Sequence, residues 1–128
     1  MINPKLTLKL LDNTYGVCRL NATTPIPNWG SLDPFYTVTR TEDELSIVCL
    51  ESSIPEDIQC EKPWRILKVV GPLDFSLVGI LSKLSGLMAD ARISIFAIST
   101  YDTDYILIKA SDIERATQVF LAHGYDII

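Results

Sequence analysis

The pattern that most narrows what this chain can fold into is the change of apolar period across its second half. Residues 64 to 70, "WRILKVV", form a short β-rich run ending at the turn signal Gly71-Pro72. Leu77, Ile80, Leu81, Leu84, Leu87 and Met88 then recur at spacings of three and four, which predicts a helix from about Asp74 to Asp90 with one apolar face. Asp74 is placed as its N-cap, because a short carboxylate accepts from the unpaired amides of a first turn. Gly79 falls inside that helix, where it costs about 1 kcal/mol relative to Ala and calls for close approach to a strand as compensation. "ISIFAIS", residues 93 to 99, and "YILIK", residues 105 to 109, are two further strands joined by "TYDTD", a link of hairpin length. Ser111, Asp112, Ile113 and Glu114 have the spacing of a capping box, opening a helix whose buried stripe is Ile113, Ala116, Val119 and Phe120 and whose stop is Gly124. "YDII" closes the chain as a last strand. Strand, helix, strand, strand, helix, strand is the split βαβ unit, an α+β arrangement with two helices on one face of a four-stranded antiparallel sheet.

The first half carries a fainter copy of the plan. Laying "FYTVTRTEDELSIVCL" on "IFAISTYDTDYILIKA" with a shift of 60 positions matches Val38 with Ile98, Thr39 with Ser99 and Glu44 with Asp104. No helical stripe accompanies it, so the expectation is a degenerate unit over residues 1–61 and a complete one over 62–128. "LTLKLLDNTYGVCRL" has the pattern of a β-hairpin turning at Asp12-Asn13, and "ESSIPEDIQCEKP", residues 51 to 63, that of the connection between halves.

Composition excludes several functions. With 11 Lys plus Arg against 16 Asp plus Glu, the net charge of −5 repels phosphate backbones and argues against nucleic-acid binding. No window approaches the roughly 20 apolar residues of a membrane span, and the start of the chain is too charge-interrupted for a signal peptide, which points to a cytoplasmic protein without a membrane partner. Cys18, Cys49 and Cys60 are scattered, odd in number and lack CxxC spacing, so they read as reduced, partly buried thiols rather than a disulfide framework or zinc site. His123, alone of its kind, falls in the last turn of a helix, where the dipole and solvent explain it. Neither a metal nor a cofactor is expected, and the carboxylate pairs Asp102/Asp104 and Asp43/Glu44 lie where exposed turns are expected, so catalysis is not expected either.

Two polar stretches remain, "GPLDF" after the first strand and "STYDTD" between the second and third, and in a split βαβ unit these turns can share a rim. Amides at the start of the helix after Asp74 suit a carboxylate, and Asp102 or Asp104 suits an ammonium, so a free amino acid fits the constellation. A polar turn plus an N-cap would account for every one of these residues as well.

"WRILKVVGPLDFSLVGILSKLSGLMADARISIFAISTYDTDYILIK" resembles the ACT-domain subfamily of small bacterial tandem-ACT proteins and of the eukaryotic cytosolic arginine sensors. "YGVCRL", "PIPNW" and "FYTVTRTEDELSIVC" resemble the N-terminal module of the small bacterial proteins, so nearly the whole chain is covered. The resemblance implies tandem ACT (ferredoxin-like βαββαβ) units, the first degenerate, and a regulatory amino-acid-binding module. It implies a ligand held between paired units, one lending Ser94 and Ile95, the other Thr100, Tyr101, Thr103 and Asp104 together with Asp74 and Phe75. Two second-half units are needed, so a homodimer is implied. Leu77 stands where the sensors place an acidic side chain, which puts arginine selectivity in doubt, and Asp74 stands where they have glycine, either narrowing the pocket or taking over the cationic end. Ligand binding would change contacts with an unknown protein partner; the alternative is a structural or protein-interaction module with no small-molecule ligand.

Overall fold

The apolar runs of the second half become strands, and the stripe through Leu84 and Met88 becomes the inner face of a helix. The computed structural model describes residues 6–71 and 79–128. Its strands and helices run β1 (Thr7–Leu10), β2 (Tyr15–Leu20), β3 (Thr37–Arg40), β4 (Leu45–Leu50), β5 (Cys60–Val69), α1 (Ile80–Asp90), β6 (Ile95–Ser99), β7 (Asp104–Lys109), α2 (Ile113–Ala122) and β8 (Asp126–Ile127). The chain divides into two units, Asn13–Trp64 and Met1–Asp12 with Arg65–Ile128. Residues 1–12 therefore group with the second half, where sequence alone placed them in a first unit of 1–61.

In the C-terminal unit β6 pairs with β7, β7 with β5, β5 with β1, and β1 with β8. Leu84 and Met88 of α1 and Ala116 and Phe120 of α2 are buried with Leu67, Val69, Ile106 and Ile108, so both helices lie on one sheet face as expected. The strand count differs. β1 runs antiparallel to β5 (Leu8↔Val69) and parallel to β8 (Leu8↔Ile127), which puts a fifth strand between the first and last strands of the ferredoxin-like plan. The hairpin expected at Asp12-Asn13 is thus replaced. The chain does turn there, with Asn13 at φ 77°, but β1 and β2 each take an antiparallel partner on β5 rather than each other.

α1 starts at Ile80 with Gly79 as its N-cap in the left-handed region, φ 81°. Gly79 is not inside the helix, and a Cβ there would meet nothing within 4 Å, so the expected close approach to a strand is absent; the residue is used for its backbone. Asp74, expected as the cap, and Leu77 lie outside the described residues. Both helices end in the same way. At α2 the Gly124 amide donates to Leu121 O (3.0 Å) and the Tyr125 amide to Phe120 O (3.1 Å), while the Tyr125 and Phe120 rings meet edge to face at 5.8 Å. At α1 the Arg92 amide donates to Ala89 O (3.0 Å) and the Ile93 amide to Met88 O (2.8 Å), with Arg92 taking the left-handed φ of 60° that Gly124 takes at α2. The capping box at the start of α2 does not form. The chain enters through a 3-10 turn, Ala110–Asp112, which takes up Ser111; Asp112 stands at the N-cap without a side-chain bond to an amide, and its carboxylate meets the Arg115 guanidinium at 3.3 Å.

In the N-terminal unit β4 lies between β3 and β2 and pairs antiparallel with both, and β2 pairs in turn with residues 60–64 of β5. Residues 60–63, expected as linker, are strand. Among the described residues this unit's only helical element is a 3-10 turn, Glu51–Ser53. Trp29, Tyr36 and Ile58 cover the face carrying Cys18, Leu45, Ile47 and Cys49 where a helix would otherwise lie. Asp33 anchors the covering loop, accepting from the Leu50 amide and the Ser53 hydroxyl at 3.0 Å each. Gly30 sits in that loop at φ 81°, and an added Cβ would lie 2.7 Å from Cys49 Cβ.

Three substitutions separate these effects. Gly30→Ala combines left-handed strain with a backbone-to-core clash and should cost about 2–4 kcal/mol. Gly79→Ala, with open space around it, should cost only about 1 kcal/mol. Arg92→Gly should stabilise by up to about 1 kcal/mol, by relieving left-handed strain. Urea denaturation of the three variants checks the order.

Candidate functional site

The stretch "STYDTD" is a four-residue turn between paired strand ends, Ser99↔Asp104. The Thr100 amide donates to Thr103 O at 2.8 Å, and the Thr100 hydroxyl donates to the same oxygen at 3.0 Å. Thr103 is 4% exposed, and its hydroxyl donates to Val69 O at 2.6 Å, tying the turn to the last residue of β5. Ser99 Oγ donates to Asp104 Oδ1 at 2.5 Å, a charge-assisted bond that holds the carboxylate at the mouth of the hairpin. Tyr101 and Asp102 project outward, Tyr101 at 81% exposure.

The predicted site residues thus fall into distinct roles. Thr100 and Thr103 shape the turn, and Thr103 has no hydroxyl proton left for a ligand. Asp104 and Tyr101 are the groups presented. Ser94 is exposed and Ile95 packs its side chain toward the helices, both at the opposite end of β6. At ~3.3 Å per residue, six residues separate Ser94 from Thr100 by roughly 20 Å, so one chain does not bring these two groups together. Asp74 and Phe75 lie outside the described residues.

The turn of the N-terminal unit has the same construction. Arg40 pairs with Leu45, the Thr41 amide donates to Glu44 O at 2.9 Å, and the Thr41 hydroxyl accepts from the Asp43 and Glu44 amides. Thr41 therefore corresponds to Thr100 and Asp43 to Asp102, a shift of 59 positions (100 − 41) rather than the 60 read from sequence. The shared Thr-x-Asp in "TEDE" and "TYDT" was the available signal. Sequence reasoning also passed over Ser99, which holds Asp104, and the Val69 carbonyl, a main-chain group that leaves no trace in residue type. Likewise the three cysteines, scattered in sequence, meet on one face of the N-terminal unit's sheet.

Two concave regions lie elsewhere. One of about 540 Å³ is lined by Asn13, Thr14, Glu51 and Lys62 among others, and one of about 390 Å³ by Lys83, Asp90, His123 and Tyr125 among others; neither takes in the turn. His123 Nδ1 lies 2.9 Å from Val119 O, in the helix-end role expected of it. Among the described residues, no helix is long and apolar enough to cross a membrane.

Comparison with known proteins follows the division of the chain. A family model for the ACT domain matches residues 59–121, and a second, for an N-terminal domain, matches residues 13–57. The mouse protein named cytosolic arginine sensor for mTORC1 subunit 1 is 30% identical over 88 residues, covering 62% of this chain; the chain spans only 27% of that relative's length. A solved structure from Agobacterium tumefaciens is 36% identical, covers 98% of this chain and 94% of its own, and superposes with a TM-score of 0.92. The aspartate kinase of Clostridium acetobutylicum, at 12% identity over 91% of this chain and 34% of the kinase, shares the fold with a TM-score of 0.63.

Removing the Thr103 hydroxyl should loosen the turn without dismantling the unit. Thr103→Val leaves the Val69 carbonyl without its donor and should cost about 1–3 kcal/mol, and Thr103→Ser should recover most of it. Urea denaturation gives the costs, and faster amide exchange at Thr100 in the Val variant alone would report the loosened turn.

Proposed function

We propose that this chain, which belongs to the ACT-domain family, is a regulatory module that binds an amino acid between the C-terminal units of two copies and carries out no catalysis itself. The observation that supports the reading is that Ser94 and Thr100 lie at opposite ends of one strand. Among the described residues β6 hydrogen-bonds only to β7, so its outer edge offers unpaired main-chain groups. A second copy laid antiparallel along that edge, with its two-fold axis at Ala97, sets Ser94 of each copy opposite Thr100 of the other, because 97 lies midway between 94 and 100. Ala97 is exposed and small, which suits it to such a centre.

In that arrangement Asp104, held by Ser99, faces the α-ammonium of the ligand. The carboxylate falls to the segment carrying Asp74 and Phe75, in line with the resemblance. Tyr101 covers the ligand from the turn, and Ser94 and Ile95 of the second copy close the other side. The relative named for arginine sensing supports an amino acid as the class of ligand, and Leu77 argues for one without a cationic side chain. The rival reading is a protein-interaction module. It is favoured by the hydrogen bonds of Ser99, Thr100, Thr103 and Asp104 within their own hairpin and β5, which explain the turn as a turn.

Calorimetric titration with the twenty common amino acids separates the two. The expected result is binding of one class at one ligand per chain, lowered about tenfold or more in Asp104→Ala by loss of a charge-assisted contact. Silence with all twenty at millimolar concentration would favour the rival. Ala97→Glu places like charges face to face at the proposed axis and should shift the protein from dimer to monomer in sedimentation while leaving its fold intact.

A further inference from the structure

We propose that Cys60 and Cys18 close an intramolecular disulfide when the protein meets a hydroperoxide, which makes the N-terminal unit an oxidation-sensitive element. The two residues are direct partners on adjacent antiparallel strands, Cys18 of β2 opposite Cys60 of β5. The neighbouring pair carries the main-chain hydrogen bond, Arg19 amide to Gln59 O at 3.0 Å, so Cys18 and Cys60 occupy a non-hydrogen-bonded position. Cα atoms at such positions stand about 4.5 Å apart with side chains close, inside the roughly 4.4–6.8 Å span a disulfide bridges. Cys49 is also in this cluster, but its strand partner is Gly16. That leaves it diagonal to Cys18 at about 7 Å or more, too far to be bridged without backbone movement.

Accessibility sets the order of events. Cys18 is 1% exposed and Cys49 fully buried, whereas Cys60 is half-buried and is the sulfur an oxidant reaches. The Cys60 thiolate attacks one peroxide oxygen, breaking the O–O bond; Cys60 becomes a sulfenic acid and the other oxygen leaves, after protonation, as water from hydrogen peroxide or as the alcohol from an organic hydroperoxide. The Cys18 sulfur then attacks the Cys60 sulfur, forming the S–S bond, and its proton leaves with the sulfenic hydroxyl as water. Two sulfurs lose two electrons in all, and the peroxide gains them. A hydrogen bond to Cys49, together with burial, pushes the Cys18 thiol above its usual range, so Cys18 meets the oxidant as a neutral thiol and gives up its proton only as the S–S bond forms.

Peptide mapping of the unmodified protein, treated with a few-fold excess of hydrogen peroxide, alkylated under denaturing conditions and digested without reduction, tests this directly. The expected outcome is a fall from three alkylated thiols to one, a cross-linked peptide joining residues 18 and 60, and recovery of all three thiols with dithiothreitol. Cys49→Ser should still form the bridge and Cys60→Ser should not, and the bridged protein should melt about 5 °C or more higher. Three thiols left unmodified, over-oxidation of Cys60 with no cross-link, a bridge joining residues 18 and 49, or one joining two copies would each overturn the proposal.

Discussion

Extended backbone is the constraint on which the functional reading rests. A β-strand holds its ends apart in proportion to its length, and β6 keeps Ser94 and Thr100 at opposite ends of one strand. Packing of Ile95 against the helices and pairing of every β6 residue with β7 prevent the strand from bending to bring them together. A site that uses both groups must therefore be completed by another module. The same pairing that separates them on one chain leaves the strand's outer edge as the surface along which a second copy can align.

The turn at the end of β6 is built to hold its shape. Its tip is closed by a main-chain bond, its Thr103 hydroxyl is spent on Val69, and its outgoing carboxylate is held by Ser99. Its exposed groups are few, and the hydrogen bonds fix them in place. Were a small ligand to bind there as proposed, little further ordering of the turn would be needed. The N-terminal unit has the same turn on a different support, with a loop anchored by Asp33 in place of helices over the sheet.

What could be read from the residues was what depends on local pattern. The strands β6 and β7, the buried stripes of both helices and the stop at Gly124 follow from apolar period and from the need for a left-handed residue after a helix. The misreadings share a cause in long-range competition. β1 looks like one arm of a hairpin because its sequence alternates suitably, but β5 and β8 offer it two partners where a hairpin would offer one. The Ser-x-x-Glu spacing before α2 is sound, yet Ser111 is taken up in a 3-10 turn and the helix opens at Asp112 instead. A repeat shift wrong by one residue matters for another reason. Strands alternate faces, so one step exchanges inward and outward side chains, and only the matched turns reveal the slip. No pattern marks Cys18 and Cys60 as partners, because pairing between β2 and β5 joins segments separated by two other strands.

The insertion of β1 between β5 and β8 has a consequence for how the chain reaches its native state. Leu8 pairs with Ile127, 119 positions further along the polypeptide (127 − 8), so the C-terminal sheet cannot be completed until Ile127 has been synthesised. β1 can meet β5 earlier, through Leu8 and Val69, but its other edge stays unpaired until β8 follows, and closing so large a loop carries an entropic cost before any contact compensates it. High contact order of this kind slows folding, and it leaves one edge of a short strand open until β8 arrives.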